Sequence, residues 1–379
     1  MKHLKHKPLA CGALMTVLLL LGVAPTVAAD VSSGTDYVPP RYDLSDLPIY
    51  KPEHRLLGVL RIYGTPLDDL VGAWTTAFRG MHGQIRLNAY LINTSQGIGA
   101  LTLGIADIGL MGHRTWLTSR RAFESVYGYA PLEVKFANGS YDDPQGTTPG
   151  LVFIVNKDNP LKALSLEQLD GILGTQRTGG WDGTTWSTAA ARGPENNIRQ
   201  WGQLGLTGEW ADKPIHPYGS DVTISNWNDL IQHEAFHGGT KWNPALKENY
   251  RADISQKAKG KNADARIIEG VLNDRYAIGF MFQRVINRMH ADVRVLPLSV
   301  KTGGPLVAPS AQSFFDGTYP LRNGAYFYLN RVPGQPLSLR EKEFVRFVLS
   351  RQGQQIIAAN RLFIPMNAEQ VARELKKLE

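Results

Sequence analysis

Three stretches of the chain place hydroxyl side chains where a strand or loop gives way to a helix. They are Thr65, Thr94-Ser95, and the run Gly219-Ser220-Asp221-Val222-Thr223-Ile224-Ser225. A helix N-terminus presents backbone N–H groups without intrahelical partners and the positive end of the helix dipole, so it attracts anions. Hydroxyls at such a terminus can donate to the oxygens of a small oxyanion. His113-Arg114 offers a cationic partner for that anion. The competing reading is that these Ser and Thr residues only cap helices. At the first terminus Pro66 lacks an N–H, and Asp68 and Asp69 oppose an anion. A fourth constellation, His233-Glu234-Ala235-Phe236-His237, matches the H-E-x-x-H pattern of zinc hydrolases. On a helix its two His share a face and can chelate zinc, with Glu234 as general base. A helix running from Asn226 to the glycines at 238 and 239 would put the pattern in a last turn, where His is also expected from the dipole alone. Glu248 and Glu269 are the nearest downstream acids for a third ligand.

The elements that must position these groups alternate along the chain. Leu57 to Tyr63 reads as a short buried strand. Thr65-Pro66-Leu67-Asp68 then signals a helix start, with Thr65 as N-cap and Pro66 at the first position. Leu67, Leu70, Val71, Trp74 and Phe78 recur at helical spacing on one face. Ile85 to Leu91 alternates as a strand, Asn93-Thr94-Ser95 opens a second helix, and Ala106 to Met111 is another buried strand. Strand, helix, strand in this order implies βαβ units and a parallel sheet. Gly150 to Asn156, Ala277 to Phe282 and Val293 to Leu298 read as further strands. Ser338 with Glu341 opens a helix through Val348, and another surrounds Gln354 to Ala359. Six Trp (181, 186, 201, 210, 227 and 242) crowd the middle third, where they either pack a loop-rich region or stack a flat ligand.

The chain has 379 residues, 43% hydrophobic and 20% charged, enough apolar material for two domains. Lys2, Lys5 and Lys7 precede an apolar run around Val17 to Val23 and small residues at Val27-Ala28-Ala29, the form of a secretory signal peptide cleaved near Ala29. Cleavage leaves 350 residues with 38 basic and 34 acidic side chains, about +4, too dispersed to suggest nucleic acid. It also removes Cys11, the sole cysteine, and with it thiolate metal sites, Cys nucleophiles and disulfides. Residues 30 to 55, rich in Pro and Ser, read as an extended leader that wraps or tethers the body.

These residues resemble the periplasmic phosphate-binding proteins of bacterial ABC importers, members of the type II solute-binding superfamily. Gly64 to Phe78 is similar to the family's first ligand loop and helix. Asn93 to Arg114 (NTSQGIGALTLGIADIGLMGHR) is similar to its hydroxyl loop, helix and following strand. Leu151 to Leu173 resembles its crossover strand and helix, and Tyr319 to Met366 its C-terminal helices, above all Leu349 to Gln354 and Phe363 to Met366. The resemblance spans roughly residues 56 to 368.

It implies an α/β fold of two lobes, each a central mixed sheet flanked by helices, with a hinge and an interlobe cleft that closes on a small anion. The first lobe would be 56–150 with 290–379, and the second 151–289. The resemblance implies phosphate or a related oxyanion as ligand, no catalysis and no cofactor. It further implies a monomer in the periplasm or secreted beyond it, and an inner-membrane permease or sensor as partner. Carried residue by residue, the ligand contacts would be Thr65, Thr94, Ser95, His113, Arg114, Ser220, Asp221 and Thr223. Two positions depart from the family: Gly112 stands where an acid or Ser is usual, and Ser220 where an Arg is usual, with no Ser-Gly-Thr after it. Hydrogen bonds to a charged group are each worth about 1.5 to 3 kcal/mol, so these departures predict either compensation by Arg114 or a changed or lost ligand.

Overall fold

The computed structural model describes residues 41–139, 150–222, 226–250, 263–282 and 292–379. The signal peptide, the leader up to residue 40, Thr223 and Ser225 lie outside them. Two five-stranded mixed sheets carry the chain, each flanked by helices, which is the α/β architecture the sequence implies.

The first sheet begins with β1 (Gly58–Gly64), β2 (Ile85–Tyr90) and β3 (Ile108–Met111), linked by α1 (Asp68–Met81) and α2 (Ser95–Thr102). β1 pairs in parallel with β2 on one side and β3 on the other. This is the arrangement the βαβ pattern demands, and it gathers the carboxyl ends of the three strands on one edge. After α3 (Leu117–Tyr127) comes β4 (Leu132–Asn138). β4 does not touch β3. The order is β2, β1, β3, β14, β4, and the intervening β14 (Gly324–Leu329) runs antiparallel to both neighbours.

The second sheet has the order β10, β9, β11, β5, β12. Its strands are β5 (Leu151–Asn156), β9 (His216–Ser220), β10 (Lys247–Asn249), β11 (Ala277–Phe282) and β12 (Val293–Val295). β9 is parallel to β10 and β11, while β5 is antiparallel to β11 and β12. β12 belongs to this sheet although it follows residue 290. Short pairs complete the strands: β6 (Leu164–Ser165) with β13 (Leu298–Ser299), and β7 (Gly180–Asp182) with β8 (Thr185–Ser187). The remaining helices are α4 (Leu166–Leu173), α5 (Asn226–Glu234), α6 (Ala263–Asn273), α7 (Ala311–Phe315), α8 (Leu339–Val348), α9 (Arg351–Asn360) and α10 (Ala368–Lys376).

The apolar stripe of α1 does what its spacing predicts. Leu70, Val71, Trp74 and Phe78 are buried. The Trp74 indole meets Phe136, Phe327 and Phe344 edge-on and donates its N–H to the Gly353 carbonyl at 3.2 Å. Truncating an aromatic this deeply buried costs about 3–5 kcal/mol. The leader wraps rather than tethers over its described part. Leu44, Leu47 and Tyr50 are buried in the same core, and the Pro48 carbonyl accepts the Arg351 N–H at 2.8 Å.

In the middle third, Trp201 and Trp210 are buried edge-to-face, and Trp242 stacks on Phe280. Packing is therefore the role of these three. Trp186 remains about half exposed and meets Trp181 edge-on.

Candidate functional site

The site begins at Gly64, the last residue of β1. Its φ of +147° is one that residues with a side chain rarely adopt, and a Cβ there would lie 1.9 Å from the Leu110 carbonyl oxygen. Glycine thus lets the end of β1 press against the end of β3. The Thr65 N–H donates to the Leu110 carbonyl at 2.9 Å. The Thr65 hydroxyl then accepts the Gly112 N–H at 2.9 Å and donates to the Thr94 hydroxyl at 3.0 Å. That hydroxyl has one proton and a second acceptor in reach, the Leu110 carbonyl at 3.3 Å; when it donates to Thr94, Thr94 keeps its own proton for a further partner. Ser95 sits beside it, exposed, as the first residue of α2.

The capping reading fails for both threonines. The N-cap of α1 is Leu67, two residues past the expected Thr65, and no side chain caps it. Thr94 is the N-cap residue of α2 but has helical φ and ψ and makes no capping bond. The Gln96 N–H is taken instead by the Asn93 side chain at 3.2 Å. The two hydroxyls expected to serve as caps are released to each other and to Gly112.

Arg114 follows β3 and is held on two sides. Its Nε donates to Glu133 Oε1 of β4 at 3.2 Å, and its guanidinium lies over the Tyr326 ring, 5.6 Å from the centroid. Glu133 is fixed in turn by the Tyr328 hydroxyl at 2.7 Å. Arg114 Nη1 reaches His233 Nε2 of α5 at 3.0 Å, while His233 Nδ1 lies 3.3 Å from Glu234 Oε1. Both ring nitrogens of His233 lie within reach of Arg114 Nη1, Nδ1 at 3.3 Å and Nε2 at 3.0 Å. Burial alone would raise the Glu234 carboxyl, but the His233 hydrogen bond and the charges of His233, Arg114 and Arg322 outweigh it and hold the group below the usual carboxylate range. Asp229, one turn earlier, is pushed up by burial. A cavity of about 280 Å³ opens beside these groups, lined among others by Arg114, Arg120, Glu133, Trp181, Asp229 and His233.

His113 does not serve as a cation. It is buried, its Nδ1 lies 2.6 Å from the Arg114 carbonyl, and burial depresses its pKa below the usual histidine value. The ring lies tilted against Trp116, with centroids 5.4 Å apart. Of the pair, Arg114 is the permanent cation.

Ser220 and Asp221 close the end of β9 and are both buried. Ser220 turns inward to Asn228 of α5, 3.5 Å away, and the Asn228 amide donates to the Asp221 carbonyl. The structure therefore joins Thr65, Thr94 and Gly112, places Arg114 against α5, and leaves Ser220 in a separate closed turn.

The zinc pattern is not assembled. α5 ends at Glu234, and His237 lies in a turn with φ of +51°. His233 lines the cavity beside Arg114, whereas His237 lines a different one beside Asp170 and Arg177. The i, i+4 face that chelation needs is broken by the helix end.

Glu133, Tyr326, Tyr328 and Arg322 escaped the sequence reading. Tyr326 and Tyr328 sit two apart on β14, a spacing that aims both to one face, but nothing in the sequence pairs that strand with β3.

No protein-family model matches the chain. It is 28% identical over 333 residues to the phosphate-binding protein PstS of two Pseudomonas aeruginosa strains, covering 88% of this chain and 90% of the relative. It is 24% identical over 223 residues to protein SphX of Synechococcus elongatus, covering 58% of this chain and 54% of that one. Among solved structures, PstS from Borrelia burgdorferi aligns at a TM-score of 0.49 and 14% identity, over 81% of this chain and 98% of that one. In sequence, the chain is a divergent relative of the bacterial phosphate-binding proteins.

Proposed function

We propose that the chain is an exported solute-binding protein that captures phosphate or a related small oxyanion. The observation that carries this reading is the hydroxyl cradle: Thr65 joins the Gly112 N–H to the Thr94 hydroxyl beside the first turn of α2. The P. aeruginosa relatives are named for phosphate binding, and the fold supplies the two sheets a closing cleft requires. The two lobes are residues 56–150 with the chain beyond about 300, and residues 151–299, a boundary moved past residue 290 because β12 and β13 pair with β5 and β6; Arg114 is the cation reaching from one toward the other. The protein binds and releases without catalysis, works as a monomer after signal cleavage in the periplasm or beyond, and presents its closed form to an inner-membrane permease or sensor. Among the described residues no helix is long and apolar enough to cross a membrane.

Calorimetric titration of phosphate into residues 30–379, unfolded and refolded to strip ligand, tests the proposal. One-to-one binding in the micromolar range, lost on Thr94→Val, supports it. Absence of binding at millimolar phosphate overturns it.

A second reading keeps the fold but changes or removes the ligand. Its support is specific: Gly112 and Ser220 replace the usual side chains, Ser220 is turned inward, and Arg114 is already engaged by Glu133 and His233. Under it the protein is an accessory or scaffold protein, and the titration gives no heat with phosphate.

A further inference from the structure

The run Gly179-Gly180-Trp181-Asp182-Gly183 has a place in the fold that the oxyanion cradle does not use. It folds as the first arm and turn of the β7–β8 hairpin. Trp181 pairs with Trp186 and Asp182 with Thr185, which leaves Gly183 and Thr184 as a two-residue loop. Gly183 has a φ of +61°, the positive value that a II′ hairpin turn takes at its first loop position and that glycine adopts without strain. The root of the hairpin is pressed against the turn after α5. The Trp181 N–H donates to the Gly238 carbonyl at 2.8 Å. A Cβ on Gly180 would lie 2.7 Å from the Gly238 carbonyl carbon, and one on Gly238 would lie 2.0 Å from the Trp181 carbonyl oxygen. Only glycines let two backbones approach this closely.

The tip reaches across to α3. The Thr184 carbonyl accepts from Arg121 Nη1 at 3.0 Å, and the Thr184 hydroxyl donates to Glu124 Oε1 at 2.7 Å. The Arg121 guanidinium lies over the Trp181 ring, 5.8 Å from its centroid. The cavity of about 280 Å³ beside Arg114 lies between these parts. Trp181, Asp182 and Gly183 of the hairpin line it, with Leu117 and Arg120 of the α3 segment and Asp229 and His233 of α5. The two ends of the hairpin are therefore held differently. The root is backbone packed on backbone. The tip is held by side chains at the surface, and such bonds break without unfolding a chain.

We propose that the β7–β8 hairpin is a lid on this cavity, fixed at its glycine root and latched to α3 through Thr184, and that release of the latch gates the passage of ligand to and from Arg114. The gate rests on the reading that Arg114 takes the oxyanion; the latch does not.

Hydrogen exchange on ligand-free residues 30–379 reads the latch. Thr184→Val removes the bond to Glu124. Arg121→Ala removes the bond to the Thr184 carbonyl and the cover over Trp181. Neither touches Arg114. Each variant should speed exchange in residues 180–187 by about tenfold and leave β5 and β11 as in the parent. Stopped-flow phosphate binding, followed by tryptophan fluorescence, reads the gate. Both the association and the dissociation rate constants should rise about threefold or more, with a smaller change in affinity. Unchanged exchange at residues 180–187 overturns the latch. So does a rise shared equally by β5 and β11, since the tip contacts would then hold the whole fold. Faster local exchange with unchanged phosphate rates overturns the gate. A chain that binds no phosphate overturns the phosphate reading and the gate with it, while exchange still decides the latch, so the two failures are told apart.

Discussion

Arg114 Nη1 donates to His233 Nε2 across 3.0 Å, tying the loop after β3 to helix α5, which follows the second sheet's β9. The same guanidinium is bonded to Glu133, so any oxyanion that uses Arg114 must share it with a carboxylate. Arg114→Ala is expected to weaken phosphate binding by a factor of about 10 or more. It also leaves Glu133 short of one partner, lowering stability by about 1–3 kcal/mol. Calorimetry and urea unfolding on the same variant separate the two effects. Unchanged affinity would remove Arg114 from the site.

Gly64→Ala tests the close approach that builds the cradle. The new Cβ would meet the Leu110 carbonyl at 1.9 Å in a backbone conformation alanine rarely adopts. The expected cost is about 3 kcal/mol or more, read as a lower denaturation midpoint, together with loss of phosphate binding. A variant as stable as the parent would show that β1 and β3 can separate without harm.

His113 predicts a pH dependence. Burial lowers its pKa in the folded chain, so the unfolded chain binds the proton more readily. Its contribution to stability is therefore fully present above the unfolded value near 6.5 and is lost as pH falls below it. Thermal melts from pH 8 to pH 5 should show a falling midpoint, and His113→Gln a shallower fall. Parallel slopes would mean that the ring is protonated without penalty.

Tyr50→Phe tests the leader. The Tyr50 hydroxyl lies 2.5 Å from Glu343 Oε2 and 2.7 Å from His82 Nε2. The Glu343 side chain is almost fully buried. Removing a donor to a buried carboxylate costs about 1.5–3 kcal/mol, measurable by denaturant unfolding. A loss below about 0.5 kcal/mol would mean that His54 and Arg346 hold Glu343 unaided.

Local signals carried much of this molecule. Leu70, Val71, Trp74 and Phe78 marked the buried face of α1, and β11 was read with its observed bounds. The helix starts were displaced because Pro66 suits a helix's first position, while the actual constraint at Thr65 is a long-range contact with β3. Neither the Arg114 to His233 bond nor the β14 to β3 pairing was legible. Each joins residues more than a hundred positions apart, and no local periodicity encodes such a meeting. The zinc pattern misled for the opposite reason: its spacing is local, but the helix it needs stops at Glu234. The burial of the Arg192 side chain has no local signal, since it depends on how the loops around α4 fold back.

The position of β14 sets the order in which the molecule can be completed. β4 joins the first sheet only through β14, and β14 arrives after the whole second sheet has been made. A chain that emerges N-terminus first cannot close its first sheet until residues 324–329 have followed. Truncation before residue 324 should thus strand β4 and leave a protease-sensitive first half, however complete its own sequence.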